Sequence, residues 1–242
     1  MPPLRYPDFI ERLKREHGHE HAMHSAIGRH FDPVGEILRA FLIQNGLLPS
    51  HFVVDVGCGA GRLAKHLAAY LTGPYLGIDV VPDLVDHARA LAARPDWRFE
   101  TVTDIAIPEQ DAQADFVCFF SVFTHLAHAD SYRYLAEAAR VARPGARIVF
   151  TFLEFAVARH WTFFETAIDP VRAEQEPAIA FLSRDAIAAW AAHLPVTVEA
   201  IHAGDEAHVE LPHPVAFPDG PRFERRATLG PVGQSVCILR RQ

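Results

Sequence analysis

Lysine is nearly missing from this sequence: of 23 basic residues only Lys14 and Lys65 are lysines, the rest being arginine. No block of basic residues interrupts a chain whose formal net charge is −7, which argues against a dedicated nucleic-acid surface. Long apolar runs are absent too. The longest stretch, Phe116 to Phe123, falls far short of the roughly 20 residues a membrane helix needs and reads as a buried strand. Cysteine is scarce, with Cys58, Cys118 and Cys237 odd in number, far apart and in apolar settings; this fits reduced thiols in a cytoplasm and neither a disulfide framework nor a zinc site. The first residues, Met-Pro-Pro-Leu-Arg-Tyr-Pro-Asp, are charged and broken by proline, unlike a secretory signal. What remains is ordinary for one globular domain: 242 residues, half of them hydrophobic and 22% charged.

Short β-like runs alternate with helical patterns along the chain. Strands are expected at Phe52–Val56, Tyr75–Asp79, Trp97–Val102, Asp115–Phe120, Ala146–Leu153, Val196–Ile201 and Ser235–Leu239. Helices are expected from Arg62 to Leu71, from Pro82 to Arg94, after an Asp130 N-cap, and from Ser183 to His193. This alternation predicts an α/β fold, a parallel sheet with helices on both faces and ligands at the carboxyl ends of the strands. Residues 7–17 and 33–45 read as helices outside the sheet, a cap or an oligomer contact. Residues 154–182 hold aromatics without a clear strand, and 203–233 hold five prolines. A connection as long as the latter carries function or unseen structure.

The strongest local signal is Asp55-Val-Gly57-Cys58-Gly59-Ala-Gly61 at a strand-to-helix turn. Glycines let the backbone turn tightly and approach a ligand, and the following helix offers its amides. The position three residues after Gly59 is Arg62, so dinucleotide G-x-G-x-x-G spacing is not met, and no Lys-Ser/Thr of a phosphate loop follows. Asp79 closes the second strand, where a carboxylate can accept two ribose hydroxyls. After the third strand, Asp104-Ile105 can offer a carboxylate to an exocyclic amine and an amide to a ring nitrogen.

With these motifs in order, the chain resembles a class I S-adenosylmethionine-dependent methyltransferase of the bacterial small-molecule type, over roughly residues 31–153. The resemblance implies a doubly wound, Rossmann-like seven-stranded sheet with an antiparallel last strand, an N-terminal helical cap, and insertions after strands 5 and 6. It implies one domain, 1–242, with a cap at 1–50, a cofactor-binding half at 51–153 and an acceptor-side half at 154–242. S-adenosyl-L-methionine is the implied cofactor. Its implied contacts are Asp55, Gly57, Cys58, Gly59, Gly61, Asp79, Val80, Asp104, Ile105 and Ser121, the last in the post-fourth-strand segment that passes the methionine end. Arg143-Pro-Gly-Ala146 resembles the family's Leu-Lys-Pro-Gly-Gly turn.

The implied reaction moves a methyl group from a sulfonium to a small-molecule metabolite, on oxygen or nitrogen, without nucleic acid or membrane as partner. His125, just past the fourth strand, is the candidate general base, with His128, Glu154, His160 and Glu165 behind it. The aromatics at 155–164 are read as lid packing or an apolar acceptor pocket, and Trp190 as core. His17, His21 and His24 would share a helix face that could bind a metal, but His19-Glu20-His21-Ala22-Met23 misses the H-E-x-x-H pattern; no metal is expected. Arg29 is a candidate to face the cofactor carboxylate. A cofactor-binding but non-catalytic module is the alternative, and less so a nicotinamide-dependent oxidoreductase, against which the glycine spacing argues.

Overall fold

A computed structural model describes residues 6–19, 22–23, 30–173, 177–230 and 233–242. Seven strands form its main sheet: β1 (Val53–Val56), β2 (Tyr75–Asp79), β3 (Arg98–Thr101), β4 (Ala114–Phe119), β5 (Ala142–Phe152), β6 (Val196–His202) and, last in the chain, β11 (Ser235–Arg241). Their spatial order is β3-β2-β1-β4-β5-β11-β6. The first five run parallel, and β11 runs antiparallel between β5 and β6. β1, β2 and β4 are buried along their whole length, as their mainly apolar composition requires of strands covered on both faces, and each also buries one aspartate: Asp55, Asp79 and Asp115.

The helices divide between those faces. One face is covered by α2 (Phe31–Gln44), α3 (Arg62–Leu67) and α4 (Pro82–Ala92), through Ile37, Phe41, Leu63, Leu67, Val85 and Ala88. The other is covered by α5 (His128–Val141) and α8 (Arg184–Ala192), through Tyr134, Leu135, Ala138 and Ile187. Pro82 opens α4, where its fixed φ costs nothing. The expected 62–71 helix stops at Leu67 and ends in a turn whose Tyr70 hydroxyl donates to the Leu47 carbonyl at 2.7 Å. Asp130 is not the N-cap of α5: the helix starts at His128, and Asp130 lies in its first turn, where a carboxylate still suits the helix dipole.

One expectation about spare length changes, and the other is given its content. α2 is not a free-standing cap, because Val34, Ile37, Leu38, Phe41 and Leu42 are buried in the core. The stretch 203–233 is not a loop; it holds two short ribbons, β7 (Val209–Glu210) with β10 (Arg226–Ala227) and β8 (Val215–Ala216) with β9 (Arg222–Phe223). Val209, Val215, Phe217, Ala227 and Leu229 extend the α2 side of the core. The Gln44 side chain fastens this join like an added strand residue, donating to the His208 carbonyl at 3.0 Å and accepting the Glu210 amide at 2.7 Å. Residues 154–182 carry a short 3-10 turn (Ala158–His160), α6 (Trp161–Ile168) and α7 (Pro170–Ala173). Among the described residues no helix is long and apolar enough to cross a membrane.

Candidate cofactor and active site

The sheet order sets the carboxyl ends of β3, β2, β1 and β4 side by side, and each carries a residue singled out by sequence. After β1 the chain turns through Gly57, Gly59 and Gly61, all with positive φ (71°, 53° and 88°). A side chain at Gly57 would drive its Cβ to 2.5 Å from Val122 Cγ2, and one at Gly61 to 2.8 Å from Ala88 Cα. The turn is thus wedged between the segment after β4 and helix α4, its backbone fixed by contact as well as by conformation.

Asp79 is buried at the end of β2, with Oδ2 accepting the Gly59 amide and Oδ1 the Val81 amide, both at 3.0 Å. Burial raises its pKa, and the backbone amides of Val81, Gly59 and Val80 oppose that rise. Each oxygen keeps a lone pair, so the carboxylate is held ready for two further donors. Val80 beside it is exposed. Asp104 is also exposed, without a side-chain hydrogen bond among the described residues, and Ile105 is half-buried. Cys58 is buried with its thiol pKa pushed well up by burial, which makes it a packing residue and not a nucleophile.

Asp55 is placed differently from a direct ligand contact. Only 2% exposed, it accepts the Tyr75 hydroxyl at 2.5 Å, and burial pushes its pKa up to about 7. Its partner lies on the adjacent strand β2.

Ser121, the first residue past β4 and Phe120, is exposed and lies at φ 61°, an uncommon conformation for a residue with a Cβ. Its amide donates to Thr151 Oγ1 at 2.7 Å and its hydroxyl to Gln234 Oε1 at 3.2 Å. Four residues on, His125 turns Nδ1 to the Ala178 carbonyl at 3.0 Å. A carbonyl only accepts, so Nδ1 carries the proton and Nε2 is left with its lone pair. Crowding by the surrounding protein pushes the His125 pKa down, although part of the ring surface is exposed. At neutral pH it is an uncharged imidazole able to accept a proton.

The runner-up bases are committed elsewhere. Glu154 is buried, holds Arg184 through two contacts of 2.8 Å and accepts the Ser235 hydroxyl at 2.5 Å. Burial pushes its pKa up, but Arg184 and Ser235 outweigh that and leave it below the ordinary value. His160, fully buried, donates from Nε2 to the Gly233 carbonyl at 2.8 Å and receives the Glu154 amide on Nδ1 at 3.0 Å. His128 is tied to the Phe181 carbonyl at 2.8 Å, and Glu165 is exposed on α6. Phe155 stacks on Phe181 with centroids 4.3 Å apart and has Phe164 edge-on at 5.2 Å, yet Phe155 and Trp161 remain at least half exposed. Trp190 is half-buried against the core.

Sequence reasoning missed two residues. Tyr6, on α1 (Tyr6–His17), lies with its ring 5.8 Å from that of His125, and burial and the nearby Asp79 push its pKa up. α1 packs Ile10, Phe9 and Leu13 with Ala60, Val81 and Leu84, roofing the glycine turn, and Lys14 pairs with Asp83. The second is Gln234. Neither belongs to a motif, and only long-range packing brings them in. Arg29, His21 and His24 lie outside the described residues; among the described ones no three His, Cys, Asp or Glu gather to hold a metal. A separate cavity of about 240 Å³ at the opposite end of the sheet is lined by His51, Asp115, Arg143 and Arg147. There Arg143 pairs with Asp115 and Arg147 with Glu199, so its charges are spent.

Residues 54–150 match the family model described as "Methyltransferase domain". A rice protein (Oryza sativa subsp. japonica) described as "Probable tocopherol O-methyltransferase, chloroplastic" is 35% identical over 101 residues, 40% of this chain and 27% of that one. The ubiquinone biosynthesis O-methyltransferase of Hahella chejuensis is 32% identical over 127 residues, 50% of this chain and 52% of that one. This chain therefore spans about half or less of the curated relatives it matches. Among solved structures, the magnesium protoporphyrin IX methyltransferase of Synechocystis PCC 6803 with bound SAH superimposes at a TM-score of 0.60, with 15% identity, over 86% of this chain and 84% of that one.

Proposed function

We propose that this chain, whose residues 54–150 match the methyltransferase-domain family, is a class I S-adenosylmethionine-dependent methyltransferase that methylates a hydroxyl group of a small cytoplasmic metabolite. The observation that carries the reading is Asp79, a buried carboxylate locked by two backbone amides beside a triple-glycine turn. That cradle fits a ribose: two vicinal hydroxyls supply the two donors it lacks, and the glycines leave no side chain in their way. Asp104 and the amides near Ile105, one strand further, suit an adenine edge. S-adenosylmethionine bound there supplies a methyl group on a sulfonium, which leaves as a neutral thioether.

The chain's own residues then have three tasks. Asp79 and the glycine turn fix the nucleoside, α1 keeps water from it, and His125 Nε2 takes the proton of the acceptor hydroxyl as the oxygen–carbon bond forms. The depressed pKa of His125 supports that last role, since the base is uncharged at neutral pH. Both named relatives being O-methyltransferases supports a hydroxyl acceptor. The net charge of −7 speaks against a polyanionic one.

Thermal shift with S-adenosylhomocysteine and with NAD tests the cofactor: a rise in midpoint is expected with the first alone. Turnover of a labelled methyl donor over a panel of phenols, catechols and amines tests the chemistry. For an acceptor so found, His125→Asn is expected to lower kcat about 100-fold with S-adenosylhomocysteine affinity unchanged. Wild-type kcat in the variant removes His125 from the mechanism, and cofactor binding without turnover across the panel favours a binding module.

A further inference from the structure

We infer that Gln234, brought in from the far end of the chain, is a specificity-determining residue of the cofactor site: with Ser121 it reads the amino-acid end of the ligand. The inference rests on the cofactor reading above and adds a residue to it.

Four strand ends stand in the order β3, β2, β1, β4, bearing Asp104, Asp79, the glycine turn and Ser121. A ribose on Asp79 has its base to one side and its sulfur-bearing chain to the other. Asp104 suits the base, so the amino-acid end lies toward β4, past Gly57 and the Val122 side chain that crowds it. Ser121 and Gln234 occupy that end, joined by the Ser121 hydroxyl at 3.2 Å. Among the described residues the other end of the Gln234 amide has no partner. A primary amide and a hydroxyl together offer donors and acceptors, which is what a zwitterion with one carboxylate and one ammonium needs.

The fold holds both residues in place by unusual means. Ser121 keeps its left-handed backbone because Thr151, buried in β5, takes its amide. Such conformations persist where the surroundings over-determine them, and they gather at functional sites. Gln234 is clamped through both of its neighbours. The Gly233 carbonyl receives Nε2 of fully buried His160, and the Ser235 hydroxyl joins buried Glu154 to the Gly204 amide. Gly233 and Gly204 touch so closely that neither has room for a Cβ. Glu154 is held in turn by Arg184 of α8. Side chains from three separate elements thus fix a two-residue approach to the cleft that solvent alone would leave loose.

The test compares two ligands that share adenosine and the thioether but differ in the amino-acid end: S-adenosylhomocysteine and 5′-methylthioadenosine. Both are titrated calorimetrically into wild type, Gln234→Ala and Gln234→Glu. Gln234→Ala is expected to weaken S-adenosylhomocysteine about tenfold while 5′-methylthioadenosine stays within about twofold. Gln234→Glu, nearly isosteric, is expected to lose at least as much for S-adenosylhomocysteine, because it sets carboxylate against carboxylate; it carries the test if the alanine variant does not fold. Equal losses for both ligands mean that Gln234 only props up the fold, and unchanged S-adenosylhomocysteine affinity means that it touches nothing; either overturns the inference. If wild type binds neither ligand, the cofactor reading falls and takes the inference with it.

Discussion

The turn after β1 and the junction after β5 solve the same problem, holding a backbone still at the rim of a cleft, by opposite means. At the first, backbone does nearly everything: three glycines at positive φ, an Asp79 that takes two amides, and neighbours close in sequence or on the adjacent strand. At the second, side chains do it. Glu154, His160, Arg184 and Ser235 come from well-separated places, and their hydrogen bonds are buried except those to Arg184, which are part-buried. A backbone-built site tolerates few substitutions but is written in a short motif. One built from side chains stakes its stability on polar groups, each of which costs free energy once its partner is removed.

The contrast can be broken first at Asp79. Asp79→Asn keeps the shape but can accept only through one atom, so one of its two amides loses a partner. S-adenosylhomocysteine affinity is expected to fall about 100-fold, roughly 2–3 kcal/mol, in calorimetric titration. A loss below fivefold would show that the nucleoside is held elsewhere. Next comes Glu154→Ala, which leaves a half-exposed Arg184 and the Ser235 hydroxyl without their acceptor. With Arg184 screened by solvent, a cost of about 2 kcal/mol is expected, some 4–8 °C in thermal midpoint for a chain of this size. S-adenosylhomocysteine affinity is expected to fall far less than in Asp79→Asn; the reverse order would erase the distinction between the two regions.

The smallest effect is expected at Asp55, and it bears on pH. In the folded protein its pKa is pushed up to about 7, whereas an unfolded aspartate titrates near 3.9. Between these values the folded state keeps a proton that the unfolded state has lost. The group's contribution is therefore present at low pH and declines as pH rises toward about 7. Asp55→Asn mimics the protonated form beneath Tyr75. It is expected to flatten the fall in stability from pH 4 to 7 and to raise the midpoint at pH 8 by about 2–4 °C, the equivalent of ~1 kcal/mol. A midpoint at pH 8 lower than wild type would show that the fold stabilises the Asp55 carboxylate and that burial does not raise its pKa.

What could be read in advance follows the same division. The five parallel strands, the glycine turn and Asp79 were legible because period and turn chemistry act over a few residues. The last strand, Ser235–Leu239, was legible as well, but its antiparallel direction came only through family resemblance. The ribbons of 203–233 were illegible because Val209, Val215 and Ala227 are too sparse among prolines to show a period, and they find their partners on α2. Glu154 and His160 looked like free bases because nothing near them in sequence names Arg184, Ser235 or Gly233 as their partners. The same distance hid Gln234, and Tyr6 fell just before the helix expected at 7–17, although it opens the helix observed there.

Helix α1 has a kinetic consequence. α1 rests on Ala60, Val81 and Leu84, the residues that frame Asp79 and the glycine turn, and the Tyr6 ring reaches across toward His125. A ligand lying on Asp79 is then under a roof, and it leaves no faster than six apolar side chains and the Lys14–Asp83 pair let go. For the proposed methyl transfer this predicts that release of S-adenosylhomocysteine, and not chemistry, limits turnover; a burst of methylated product in the first turnover is the expected sign, and a linear start would refute it.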